Sequence, residues 1–422
     1  MLKSILSTAT FKQSRITISG TILNGTLGAL FYILLARFLG PSDFGLLTVS
    51  LATLVLFADI ADIGTNTGLI RFVSAHLAED KDKAMRFLKL SLEIKLVVWL
   101  VSFLIFFFLS PTIAIHFFHK PELILPFRLV AVGVGGALLF SFATSTLQAY
   151  QKYFLWSSIN IFTNLLRLLF ILFLGYTLAA NVQTSLLVYI LFPFFGFFIA
   201  LFILPTRQIL SARGETALAR DLFSYNVPVA IFTIISAFSA RLDTYLTAHL
   251  LNIKEVGIYG AATQLNQVMP QLVSAIGLVA APKFASFQNN KQMLIYMKKL
   301  QVLVTCLCVI GILAIPVIIY LIPIIYGVNY AEAVTPFIFI FLAMLVFLFS
   351  VPIHNSIIFY FSRPDVFIWI AIGNLLIIGG LGYLLISSFG IIGASITVLV
   401  GTSFNFIYPL IWVMIKLRNG QK

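Results

Sequence analysis

Charge is what this sequence has least of. Only 10% of its 422 residues are Asp, Glu, Lys or Arg, against roughly 25% in soluble domains. A water-facing surface cannot be covered with so few charges, so a soluble enzyme or binding domain is excluded. Cysteine is scarce too: Cys306 and Cys308 stand two apart inside one apolar run. At that spacing they point to different sides of a helix, which suits small core residues better than a disulfide or metal pair. The opening stretch MLKSILSTATFKQSR lacks the apolar h-region of a secretory signal. The apolar run that begins at Ile16 is long enough to stay in a membrane, so no cleaved leader is expected.

What fills the sequence instead is apolar: 60% of residues are hydrophobic and 42 are Phe. Apolar runs of about 18 residues or more recur at intervals of about 30, the length a bilayer demands of a helix. The expected fold is therefore all-α and polytopic. Apolar windows between charged or Gly/Pro punctuation place six spans near 17–39, 43–66, 87–109, 126–150, 154–178 and 183–204. Six more fall near 222–250, 256–281, 299–321, 335–358, 365–387 and 391–414. Twenty Lys and Arg then lie in loops on one side and four (Arg37, Lys120, Arg128, Lys254) on the other. That asymmetry predicts cytoplasmic termini at a cell membrane and makes the net charge of +13 a topological signal. The basic residues are spread over seven segments, which points to membrane lipids as partners and argues against nucleic acid.

The two halves resemble each other. Setting Ala36 on Ala248 also sets Leu39 on Leu251 and Gly45 on Gly257, and further along Asn164 falls on Asn374. The offsets, 212 and 210, are about half the chain. Each half has an even number of spans, so lobes 1–210 and 211–422 should enter the membrane in one direction, related by a pseudo-twofold along its normal, with a cleft between them. Gln264, Gln267, Gln271 and Ser274 lie at i, i+3, i+7 and i+10 of the eighth span, on one helix face. The equivalent positions of the second span end in Asp59 and Asp62. Two readings stand: a cleft-lining stripe, or polar residues that glue helices together.

Ionisable residues at membrane depth are Asp59, Asp62, Glu93, Lys95, Arg167, Arg241 and Asp243, with Arg71 just below the second span. A charge at a helix centre costs on the order of 3 kcal/mol, so each needs water, a partner or a purpose. Glu93 and Lys95 sit near the cytoplasmic end of their span, where a solvated face is expected and Glu93 can meet Lys89. Asn160, Asn164 and Arg167 share one face of the fifth span, as an interhelical contact or a cavity wall. Asp59 and Asp62 are open to two readings, a proton or Na⁺ site or simple hydration. Arg241 and Asp243 cannot face each other on a helix, so their partners must come from other helices. Pro193, Pro228, Pro270 and Pro316 lie inside spans and permit bending.

Several blocks together resemble the Wzx-like oligosaccharide flippases of the multidrug/oligosaccharidyl-lipid/polysaccharide (MOP) exporter superfamily. They are LLARFLGPSDFGLLTVS (34–50), DIGTNTGLIRFVSAHLA (62–78), RLDTYLTAHLLNIKEVGIYGAATQL (241–265), APKFASF (281–287) and FGIIGASI (389–396). The resemblance implies two six-helix lobes in a MATE-like V, with spans one, two, seven and eight lining the cavity. Its implied cargo is an undecaprenyl-pyrophosphate-linked oligosaccharide, moved from the inner to the outer leaflet by alternating access for surface polysaccharide biosynthesis. It implies functional association with a polysaccharide polymerase and glycosyltransferases. It also implies cationic cavity residues that hold the pyrophosphate, a role that falls first to Arg241 and then to Arg71 and Arg167. The membrane-depth charges are evenly split, four basic and four acidic, a departure from a plainly cationic cavity.

Moving about two negative charges outward is favourable by roughly 4.6 kcal/mol at about 100 mV, so no coupling ion is required. A cation-coupled MATE-type exporter of small molecules is the rival, with Asp59 or Asp243 as its coupling acid. A membrane polymerase or ligase would need a sizeable outer surface, yet the longest outer loop runs only from about 110 to 125. His116, His119 and Glu122 in that loop have metal-like spacing without further ligands, so an interfacial loop is expected, with no metal, no cofactor and no enzymatic activity.

Overall fold

A computed structural model describes residues 9–212 and 216–418, so Lys3, Arg213 and Lys422 of the loop count lie outside it. Every regular element among the described residues is helical. In chain order they are α1 (Ala9–Asp62), α2 (Thr65–His76), α3 (Lys81–Thr112), α4 (Ile124–Ala149), α5 (Tyr153–Tyr176), α6 (Val182–Ile203) and the short α7 (Thr206–Ser211). Then follow α8 (Thr216–Ser239), α9 (Leu242–Leu250), α10 (Ile253–Asn266), α11 (Val268–Ala285), α12 (Asn290–Tyr326), α13 (Val334–Asn355), α14 (Val366–Leu376) and α15 (Gly382–Arg418).

Ten helical stretches among these residues are long and apolar enough to cross a membrane. Two are of double length, Ser19–Asp62 with 44 residues and Val366–Arg418 with 53, where a bilayer needs about 20. Each is interrupted by a glycine in the left-handed region, Gly40 at φ 71° and Gly390 at φ 59°. Only a residue without Cβ enters that region freely, so these glycines set the turns. Both breaks fall in the gaps expected at 40–42 and 388–390, and counting each long stretch as two gives twelve spans.

The chain packs as two compact units. One takes the described residues up to Leu39 together with Leu46–Ala237, the other Gly40–Gly45 together with the described residues from Phe238 onward. Buried Leu69, Leu88, Phe142 and Leu147 lie in the core of the first, and Phe284, Met293, Ile357 and Val413 in that of the second. Helix α8 thus belongs to the first unit almost to its end, and α9 to the second.

Traces of the half-chain repeat recur in the backbone. Asp80 caps α3 by accepting from the Lys83 amide at 2.9 Å, and Asn289 caps α12 by accepting from the Gln292 amide at 2.9 Å. Each cap satisfies a helix-end N–H that would otherwise be orphaned. Gln151 and Ser362, which follow the fourth and tenth spans, both take positive φ, 55° and 53°. These pairs stand 209 and 211 residues apart, close to the offsets read from sequence.

The fold also brings the aligned glycines face to face within the second unit. A Cβ on Gly45 would lie 2.0 Å from the Ile253 carbonyl oxygen, and one on Gly257 would lie 1.8 Å from that of Pro41. Residues 41 and 253 are themselves 212 apart, so the same contact is made twice with the roles exchanged. Beside it, Phe44 is buried edge-on against Tyr330, with ring centroids 6.2 Å apart.

Candidate functional site

The second span does not run straight to its end. Immediately after Asp62 the backbone passes through Ile63 at φ 48° and Gly64 at φ 70°, and a new helix, α2, starts at Thr65. A β-branched residue at positive φ is strained and persists only where its surroundings hold it. Here the Asp62 carboxylate is the holder. One oxygen accepts from the Thr65 hydroxyl at 2.9 Å and the other from the Asn66 amide at 3.3 Å, at the N-terminus of α2. The first oxygen also receives the Lys95 ammonium at 2.5 Å. That ammonium donates in addition to Ser141 Oγ at 3.2 Å, and Ser145 Oγ donates to Asn66 Oδ1 at 3.1 Å.

This corrects the expectation of a solvated face for Lys95. Its side chain is 0% exposed, because Asp62, 33 residues away in sequence, is brought beside it by the bend. Glu93, two residues earlier, does remain exposed and lies 3.9 Å from Lys89. Arg71, one turn and a half into α2, lays its guanidinium over the Tyr225 ring at 4.2 Å, a cation–π contact. Asp59, one turn above Asp62, is half-buried.

On the fifth span, Asn164 and Arg167 are brought together. Arg167 donates to Asn164 Oδ1 and to the Tyr189 carbonyl, both at 2.9 Å, and stacks over the Tyr189 ring at 4.1 Å. Its hydrogen-bonding partners are thus neutral, and its Nε is buried without a hydrogen-bond partner. Asn164 in turn donates to Asn24 Oδ1 of α1 at 2.6 Å. The aligned Asn374 donates to Ser239 Oγ at the end of α8, at 2.9 Å. In each half, the fifth span therefore hydrogen-bonds the first, which gives the sequence alignment of these asparagines a physical meaning.

In the second unit, the seventh span is broken where Arg241 stands. Helix α8 ends at Ser239, α9 begins at Leu242, and Arg241 lies between at φ −130° and ψ −1°. The break comes within a few residues of the point where the chain passes from the first unit to the second. Asp243, in the first turn of α9, is 8% exposed and accepts from the Tyr259 hydroxyl at 2.5 Å. As expected, that partner comes from another helix, α10.

The glutamine stripe runs across the junction of α10 and α11, within one helical stretch from Ile253 to Ala285. Helix α10 ends at Asn266 and α11 starts at Val268, with Gln267 between them. The reason is Pro270, which has no N–H to offer the Asn266 carbonyl and crowds it sterically. Gln267, Gln271 and Ser274 are exposed, and Gln264, on the last turn of α10, is half-buried.

Of the predicted residues, then, the structure joins Asn164 to Arg167 and ties Asp62 and Asp243 to partners that sequence reasoning missed, Lys95 and Tyr259. A signal for Lys95 existed: a cation on an apolar helix that follows directly on a span with an acid at its end. The stretch 110–125 is mostly folded, with α3 running on into a wide turn at Ile113–Phe117. There Lys120 Nζ donates to the Phe118 carbonyl at 3.2 Å. Burial lowers its pKa, and the nearby Glu122 carboxylate opposes that shift. Among the described residues no group of three or more His, Cys, Asp or Glu is placed to hold a metal.

The run of long apolar helices defines a multi-pass membrane protein, and its fold is similar to that of solved transporters of the MOP superfamily. An inward-facing multidrug resistance MATE-family transporter of that superfamily superposes with a TM-score of 0.76 at 14% identity, covering 96% of this chain and 98% of the other. The lipid II flippase MurJ, in an inward closed conformation, gives a TM-score of 0.76 at 14% identity over 94% and 87%. A MOP superfamily transporter from Pyrococcus furiosus gives 0.68 at 13% identity over 97% and 96%. A search of curated proteins finds no significant match. The chain belongs to the polysaccharide biosynthesis protein family, whose model matches residues 11–288.

Proposed function

We propose that this protein is a flippase that carries an undecaprenyl-pyrophosphate-linked oligosaccharide from the cytoplasmic to the outer leaflet of the cell membrane. Lobes 1–210 and 211–422 alternate in access, both termini are cytoplasmic, and a polymerase and glycosyltransferases act on either side of the step. Membership of the polysaccharide biosynthesis family carries this reading. The geometry adds support for an anionic cargo. Lys95 and Asp62 cancel each other, whereas Arg167 is a half-buried cation whose hydrogen bonds go to neutral groups. Arg241 stands at a helix break, where backbone and side chain can both turn toward a ligand. In this reading Arg241 and Arg167 attract the pyrophosphate, with Arg71 at the cytoplasmic approach. The amides and hydroxyls of Gln264, Gln267, Gln271 and Ser274 meet the sugars, and Asp59, Asp62, Asp243 and Asn164 shape the polar wall.

The test is leaflet-to-leaflet movement of a fluorescent undecaprenyl-pyrophosphate sugar in proteoliposomes. Arg241→Ala should insert normally and slow movement on the order of tenfold or more, the value of one charge-assisted hydrogen bond. A well-folded variant that moves the lipid at the normal rate removes Arg241 from the site. If the unmodified protein moves only small cationic dyes, and only along an ion gradient, the flippase reading fails.

A further inference from the structure

We propose that the Lys95 ammonium is a tethered counter-cation that permanently fills the place at Asp62 where a coupling ion would otherwise bind. The second span carries a carboxylate at membrane depth, and such a group requires a cation, a proton or water. Around Asp62 the structure gathers an oxygen-rich set: its own two carboxylate oxygens, the Thr65 hydroxyl and Ser141 Oγ, with Asn66 Oδ1 and Ser145 Oγ adjoining. Hard cations such as Na⁺ favour this donor chemistry, and a four-carbon stem from α3 delivers an ammonium into it instead. The stem itself is wholly buried, while Asp62 keeps 14% exposure, so the acid stands at the edge of the cluster and the lysine behind it.

The same contact has a mechanical side. Ile63 and Gly64 hold a left-handed bend between α1 and α2, and the bend seats against α8, where a Cβ on Gly64 would approach the Asn226 carbonyl to 3.1 Å. Asp62 spans the bend by binding the first residues of α2, and Lys95 fixes Asp62 from the third span. Lys95 is thus a positioning residue that holds the bend without help from solution ions. For the flippase reading, on which this consequence rests, Asp62 takes up no Na⁺ during the cycle. Charge neutrality at that point is built into the chain.

The test reads ion binding directly and needs no cargo, so its failure is separate from failure of the flippase reading. Thermal unfolding of the full-length protein in detergent at pH 8 is compared in NaCl and in choline chloride. The unmodified protein should unfold at the same temperature in both. Lys95→Ala should unfold earlier in choline chloride and be raised by NaCl, by about 2 °C or more, because Na⁺ binds only the folded carboxylate cluster. Asp62→Asn with Lys95→Ala should lose that response. Should Lys95→Ala fail to accumulate, the double variant should still do so, since it buries no lone charge. The proposal is overturned by a Na⁺ response in the unmodified protein, by a Lys95→Ala variant indifferent to Na⁺, or by a double variant that fails alongside the single one.

Discussion

Gly257→Ala should be among the most damaging single-methyl additions to this protein. The new Cβ would sit 1.8 Å from the Pro41 carbonyl oxygen, 2.8 Å from its carbon and 2.9 Å from the Gly45 amide nitrogen. All three are backbone atoms, so no rotamer change can relieve the clash. Real Cβ contacts essentially never fall under 3.0 Å, so the two segments must separate by at least 1.2 Å. Overpacking of this kind costs roughly 1–3 kcal/mol, and a helix interior returns about 1 kcal/mol from Gly to Ala, which leaves a net loss of up to about 2 kcal/mol. In a unit of this size each kcal/mol moves the melting midpoint by roughly 2–4 °C. Gly28→Ala, where a Cβ meets nothing within 4 Å, is the control and should hold or raise the midpoint. Because Gly45 makes the mirror contact, Gly45→Ala should cost a similar amount, and the double variant less than the sum, since one separation serves both methyls. Strict additivity, or a Gly257→Ala midpoint equal to that of Gly28→Ala, would refute the self-complementary contact.

Other consequences can be checked in the same assay. Tyr259→Phe removes the hydroxyl that donates to buried Asp243 and should cost about 1–3 kcal/mol, while Tyr320→Phe, at a position 76% exposed, should cost nothing measurable. Asn374→Ala severs the tie to Ser239 for about 1 kcal/mol, and Asn164→Ala should cost more, because it also strips an acceptor from Arg167. In the loop after the tenth span, the hydrogen bond from Arg363 holds the Asp365 carboxyl below the usual carboxylate range. A lowered folded pKa gives stability that is fully present above the ordinary value and lost as pH falls through the lowered one. Both groups are half-exposed on the surface, so Asp365→Asn should leave the midpoint at pH 7 almost unchanged.

Much of the site was hidden for one reason: its partners are distant in sequence. Asp62 and Lys95 are separated by the bend, all of α2, a loop and the first turns of α3, and nothing in the composition of either span says that the bend at Ile63 brings them within hydrogen-bond reach. The glutamine stripe is the opposite case: its spacing is a local property of one helical stretch, and the only step in it, at Gln267, comes three residues before Pro270. Asn164 was placed on a polar face together with Arg167, and that much followed from helical period alone.

By itself, the sequence determined the membrane class, the number of spans and the breaks at Gly40 and Gly390. These depend on local quantities, the length of an apolar run and the backbone freedom of one residue, which a bilayer reads directly. The half-chain repeat was likewise legible, because equivalent positions keep equivalent residues. Tertiary structure alone decided which buried charge meets which partner and that the two aligned glycines touch. A charge in a low-dielectric interior is stabilised by whatever stands within a few ångströms of it, and that neighbour is set by how helices far apart in the chain pack together.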